Sequence, residues 1–304
     1  MKHTHKIILA VTSVCTVIIL GVSIFFVTQA VTNNKLENTS QTTQHSSSSS
    51  KPVEDKQTTK QLDQAKQLAA SYHYDEAIAL LEKDDAKEAQ QLLATLKKDP
   101  TKISHVFFHS LIVDPAKAFH TQQAQGYKDY MVTISEFNKT IDQLYKNNYV
   151  LVNLNGLVKK GTDGKLTFTG VSLPEGKKPL ILSQDDVSYY EYMDNSGFPS
   201  KLIVDKQNQI KNIYIDNKKE TVGDYDMVPL IDSFIKKHPD FSYQGAKGTL
   251  ALTGYNGVLG YRTSKSEYGD NEKTNKEIEA AKKVADQLKK DGWSFASHTW
   301  GHLN

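Results

Sequence analysis

From Ile7 to Val27 the chain runs for 21 residues without one charged side chain. As a helix, a run of that length covers about 30 Å, the thickness of the hydrocarbon core of a bilayer. Residues 1–30 therefore read as a short cytoplasmic tip and a transmembrane anchor. Lys2 and Lys6 precede the run, which keeps the N-terminus inside and places everything after Ala30 outside the cell. Cleavage of a signal peptide after Thr28-Gln29-Ala30 is the alternative, with the same outcome for the remainder. The only cysteine, Cys15, lies inside the run behind Val14, where lipid attachment would want a small residue. No disulfide framework, cysteine nucleophile or thiolate metal site is open to the rest of the chain. Any metal must be held by histidines and carboxylates.

Residues 31–60 are rich in Ser, Thr, Gln, Asn and Lys, with Ser46 to Ser50 unbroken, and read as a disordered linker. Residues 61–99 turn helical: Leu62, Ala65, Leu68, Ala69 and Tyr72 share one face, and Ala89, Leu92, Leu93 and Leu96 another, before Asp99-Pro100 stops the pattern. Tyr74-Asp75-Glu76-Ala77-Ile78 resembles the second helix of a tetratricopeptide hairpin, but one unit falls short of an array, so a helical spacer packed on the main domain is expected. Lys+Arg 37 against Asp+Glu 35 gives no basic excess and hence no nucleic-acid signal.

Residues 100–304 alternate short apolar runs with helical stretches. Strands are expected at Val106 to His109, Tyr149 to Val152, Pro179 to Ser183, Gly248 to Leu252 and Trp293 to Ser297. Helices are expected at Phe137 to Lys146, Met227 to Lys237 and Asn275 to Lys290. Such alternation points to an α/β fold with parallel strands and helical crossovers, whose functional side chains sit just beyond the strand C-termini.

Two strands of this set are followed by metal-binding residue types. His298 and His302 are four apart, a spacing that on one helical turn lets two imidazoles meet one ion at roughly 2.0 to 2.1 Å. Asp185 and Asp186 follow the strand from Pro179, and parallel strands would bring them to the same rim. Asp186 with His298 and His302 makes a two-histidine, one-carboxylate set with a position left for water.

Ser183-Gln184-Asp185-Asp186 resembles the first motif of the polysaccharide deacetylase family (carbohydrate esterase family 4, NodB-like), usually Thr-Phe-Asp-Asp-Gly, and His298-Thr299-Trp300-Gly301-His302 its His-Ser/Thr-x-x-His motif. The likeness covers roughly Ile103 to Asn304. It implies an incomplete NodB-like (β/α) barrel in which Asp185 is the general base and Asp186, His298 and His302 hold a divalent metal, usually Zn2+. The implied reaction is N-deacetylation of an envelope polysaccharide such as peptidoglycan, outside the membrane and facing the cell wall.

The chain departs from the family pattern in three places. Gln184 replaces the aromatic, and Val187 stands where glycine is usual, so a different loop is expected there. About 40 residues from Ser188 to Asp224 look inserted, with a strand-like pair at Lys201 to Asp205 and Ile210 to Asp216; Tyr189 and Tyr190 in this stretch are candidates for stacking on sugar rings. The later arginine, Asp/Trp and Leu-x-His motifs, the last bearing the general acid, have no counterpart before Asn304, so these 304 residues are expected to turn over little or no substrate by themselves. Arg262 precedes the histidine motif and reads as a loop residue. A non-catalytic surface protein that binds glycan or scaffolds, with a deacetylase-like domain, is the alternative.

Overall fold

The structure, a computed structural model, describes residues 53–96 and 102–302. The expected membrane anchor and most of the linker lie outside the described residues, among which no helix is long and apolar enough to cross a membrane.

Three helices come first: α1 (Val53–Ala70), α2 (Tyr74–Leu81) and α3 (Lys87–Leu96). Their apolar faces bury Leu62, Ala65, Ala77, Leu81, Ala89 and Leu93 in one cluster with Val150, Val152, Leu157 and Leu173 of the following fold. Tyr72, Tyr74 and Tyr243 meet ring to ring, with centroids 5.7 to 6.3 Å apart. The helical segment is thus packed against the α/β fold through shared apolar burial, the main source of stability for helices this short.

The main sheet has five parallel strands: β1 (Ser104–Phe108), β2 (Tyr149–Leu151), β5 (Lys178–Asp186), β9 (Thr249–Leu252) and β10 (Ser294–Ser297). β5 is the central strand. β1 pairs with it over Leu180 to Gln184, β2 over Lys178 to Leu180, and β9 over Ser183 to Asp186, with β10 outside β9. Helices α6 (Ile134–Lys146), α7 (Met227–Lys237) and α9 (Glu272–Lys290) cover it, burying Phe137, Ile141, Ile231, Val284 and Leu288 with Leu180, Leu182 and Leu250. Thr133 and Glu136 close a reciprocal cap at the start of α6, satisfying donors that a helix end would leave unpaired. Three short helices, α4 (Pro115–Ala118), α5 (Ala124–Tyr130) and α8 (Lys265–Tyr268), lie in the connections.

Two smaller antiparallel sheets interrupt the alternation. The hairpin of β3 (Val158–Lys160) and β4 (Leu166–Phe168) is exposed along its whole length. The inserted stretch forms three strands, β6 (Lys201–Val204), β7 (Ile210–Asp216) and β8 (Lys219–Gly223), rather than a strand pair. The fold is therefore an α/β protein with a mostly parallel sheet flanked by helices. Strand β5 runs further than expected, so Gln184, Asp185 and Asp186 belong to the strand and do not follow it.

Candidate metal centre

Register places the site. Asp186 at the end of β5 pairs with Leu252 of β9, and Leu252 pairs with Ser297 at the end of β10. Three strands therefore end at one level, and His298 begins the next turn with its N–H donating to the Leu252 carbonyl, 2.9 Å. The expectation that strand ends converge is met.

The turn holding the histidines is not helical. Thr299 (φ 68) and His302 (φ 52) take left-handed conformations, and the turn is propped by the loop after β9. Gly254 N–H donates to the Thr299 carbonyl (3.2 Å) and Tyr255 N–H to that of Trp300 (2.7 Å). Gly254 permits the approach, since a Cβ there would fall 2.6 Å from Cδ1 of Trp300. The expected helical turn is thus replaced by an irregular one that brings the imidazoles together: their centroids lie 5.1 Å apart with planes at 81°.

One donor atom from each of Asp186, His298 and His302 lies within 4.8 Å of the others. His302 Nε2 is 2.7 Å from Asp186 Oδ1, and His298 Nε2 is 4.0 Å from the same oxygen. Tetrahedral ligands at zinc-like bond lengths stand about 3.3 Å apart, so the three residues fit one divalent ion after side-chain shifts of about 1 Å. The Asp186 side chain is 12% exposed and the two imidazoles 35% and 52%. One wall of the group is thus protein and the other is open to a ligand or water.

Asp185 is not brought into contact with the three. Strand alternation puts it on the face shared with Ser183 and, across the pairing with β1, Phe107. Among the described residues its carboxylate has no hydrogen bond or ion pair, in contrast to that of Asp186. Of the histidines near the first strand, His105 Nε2 meets Ser183 Oγ at 2.9 Å and His109 Nδ1 the Tyr130 carbonyl at 3.1 Å.

The turn after Asp186 answers the missing glycine with strain. Asp186 (φ 71), Val187 (φ 48) and Tyr189 (φ 48) are all left-handed, a region β-branched residues avoid. Burial and hydrogen bonds hold the conformation: Val187 is fully buried and its carbonyl accepts from Leu259 N–H at 2.7 Å. Arg262, read from sequence as a loop residue, is the clamp. Its guanidinium donates to the carbonyls of Ser188 (3.3 Å), Tyr189 (2.9 Å) and Asn256 (3.1 Å).

Gln184 and Tyr189 serve a buried polar network instead of a ligand. Gln184 Nε2 donates to Asp226 Oδ1 (2.9 Å), Tyr189 OH to Asp226 Oδ2 (2.7 Å), and Asn212 Nδ2 to Tyr189 OH (3.1 Å). Asp226 also accepts from the N–H groups of Leu111 and Met227, capping α7. Burial pushes its carboxyl up to about 6 against those hydrogen bonds. These contacts correct the sugar-stacking expectation. Tyr189 is 2% exposed and Tyr190 5%, so neither ring offers a face to a sugar. Tyr190 OH instead meets Thr253 Oγ1 at 2.8 Å, and Ser188 Oγ meets the same hydroxyl, tying the strained turn to the loop after β9.

The fold and this group define a class no narrower than an α/β protein carrying a His-His-Asp cluster at the C-terminal edge of a parallel sheet. Compared with known proteins, the chain matches no protein-family model, no curated protein and no solved structure.

Proposed function

We propose that this is a metal-dependent polysaccharide deacetylase of the NodB-like kind, anchored in the membrane and releasing acetate from N-acetylated envelope glycan such as peptidoglycan. The observation that carries the reading is the convergence of Asp186, His298 and His302, from the ends of two strands separated by β9, into one ligand-sized cluster. Its residue types and chain order match the two motifs that resemble that family, and a mostly parallel sheet flanked by helices is compatible with the incomplete (β/α) barrel which that resemblance implies.

In this reading Asp186, His298 and His302 hold the ion, most suitably Zn2+, with a position left open on the solvent side. The bound ion supplies Lewis acidity toward a water and toward the amide carbonyl. Asp186 keeps its orientation through the tied turn of Ser188, Thr253 and Arg262. Asp185, peptide-linked to Asp186 and without a side-chain hydrogen bond or ion pair among the described residues, takes up a proton on a carboxylate oxygen as general base. The buried Tyr190 phenol, its pKa raised by burial, stays protonated beside the cluster.

The test uses the protein at full length, with any sequence that follows Asn304, in detergent, loaded with zinc and given N-acetylated peptidoglycan fragments. Acetate release that disappears in Asp186→Ala is the expected result; no bound zinc and no acetate would end the proposal. The absence of any contact between Asp185 and the cluster favours a second reading, glycan capture without hydrolysis. Binding without acetate release is its signature.

A further inference from the structure

Three exposed aromatic rings border the cluster. Tyr192 is 49% exposed, Tyr255 41% and Trp300 54%. None of the three dangles. Tyr192 stacks on buried Tyr190 with centroids 5.2 Å apart and planes at 15°, and Tyr190 lies 5.8 Å from Tyr255. Tyr255 meets Trp300 edge to face at 5.7 Å and 78°. The buried ring is the hub, pinned by its hydroxyl to Thr253, and the Tyr255 to Trp300 backbone bond fixes the far end.

The rings adjoin the cluster through shared elements. Trp300 lies in the turn between His298 and His302, and Tyr190 and Tyr192 follow the turn that begins at Asp186. The negative charge of Asp186 reaches the phenols of both tyrosines.

We propose that Tyr192, Tyr255 and Trp300 form a stacking platform for the pyranose rings of a glycan, next to the sugar presented to Asp186, His298 and His302. A pyranose has C–H faces that suit the negative face of an aromatic ring, and hydroxyls at its rim that need polar partners. The platform alternates these demands: aromatic faces are interleaved with the Asp186 carboxylate, two imidazoles and the phenol hydroxyls. A purely apolar partner would strand those polar groups without hydrogen bonds. Rings already locked by packing lose little side-chain freedom when a ligand arrives. Only the identity of the reacting sugar rests on the deacetylase reading.

The chain has two tryptophans, and Trp293 is 3% exposed, so a ligand-dependent change in tryptophan emission reports Trp300. The full chain in detergent, treated with a chelator, is titrated with a linear tetramer of N-acetylglucosamine. Binding is expected without metal, weakened about 3- to 10-fold by Tyr192→Ala and again by Tyr255→Ala, the scale of one aromatic contact. Tyr192→Phe and Tyr255→Phe keep the rings and are expected to keep most of the affinity, which separates stacking from misfolding. Phe168→Ala, on the exposed β3–β4 hairpin, is the neutral control. Equal affinity in wild type and both alanine variants, or no tetramer binding by wild type, overturns the platform even if zinc binds and acetate is released. Affinity lost in the alanine variants of a protein that holds no zinc supports the platform while removing the deacetylase reading.

Discussion

Nε2 of His302 lies 2.7 Å from Oδ1 of Asp186, a direct contact between side chains 116 positions apart. It rests on two strained turns: Asp186 and His302 both have positive φ, and each turn is tied to the loop after β9, which sits between their strands. Strain of this kind costs roughly 1–3 kcal/mol per residue and persists where surrounding structure over-determines it, most often at functional sites. Here the surrounding structure is the register of β5, β9 and β10.

The first prediction concerns the ion. Zinc is expected to bind the full chain at one equivalent, measured by calorimetry or by competition with a chromophoric chelator. His302→Ala and Asp186→Ala should each weaken it by more than the roughly 10- to 100-fold that loss of a mere outer-shell partner costs. Zinc affinity unchanged in both variants would show that the cluster is only a hydrogen-bonded turn.

Asp185 gives the second. Because its carboxylate makes no hydrogen bond or ion pair with the three ligand side chains, Asp185→Asn should leave the zinc dissociation constant within a few-fold of wild type. If it is the general base, acetate release should fall about 10²- to 10⁴-fold, the range for a positioned proton acceptor. Parallel loss of zinc and turnover would assign it to the ligand set, and unaltered turnover would leave it without a chemical role.

The third uses the strained turn. At an ordinary interior position glycine is less stable than alanine by roughly 0.5–1 kcal/mol. At Val187, whose φ is 48°, alanine retains a left-handed cost of about 1–2 kcal/mol that glycine escapes. Both variants lose the buried isopropyl group and destabilise the fold. Chemical denaturation should nevertheless find Val187→Gly the more stable of the two by about 0.5–1 kcal/mol; the usual order would mean that the turn is unstrained.

The strand and helix alternation was legible because parallel strands buried on both faces leave short apolar runs, and α7 lies where its amphipathic pattern puts it, at Met227–Lys237. Convergence of Asp186 with the histidines followed from strand-end logic alone. The β3–β4 hairpin escaped because a strand exposed on both faces, such as Val-Lys-Lys, carries no hydrophobic period. Strand β8 (Lys-Glu-Thr-Val-Gly) escaped because its half-buried positions are Thr221 and Gly223 while Val222, its one large apolar residue, faces solvent. The roles of Gln184, Tyr189 and Arg262 depend on partners 42, 37 and 73 positions away, and no local pattern encodes such pairing. Tyr192 differs from Tyr189 and Tyr190 only in which way the chain turns after Val187, so the exposed ring of the three could not be singled out before the turn was known.

The last prediction follows from Asp226. Its carboxyl is fully buried with a pKa of about 6, against roughly 3.9 for an aspartate in an unfolded chain. Between those values the unfolded chain releases a proton that the folded chain retains, so stability falls as pH rises. The contribution is whole below about pH 4, declines through pH 6 and levels off above about pH 7. A shift of this size is worth of the order of 3 kcal/mol at neutral pH. Asp226→Asn keeps an acceptor for Leu111, Gln184 and Met227 but cannot ionise, and it disturbs the bond to Tyr189. It should therefore be the less stable protein at pH 4, by about 1–3 kcal/mol for the mispaired hydroxyl, and should close that gap by pH 7. Other titrating groups, the histidines included, cancel in the comparison of the two proteins. A gap in unfolding free energy that stays constant from pH 4 to 7 would mean that Asp226 is already ionised in the fold, held so by its four donors.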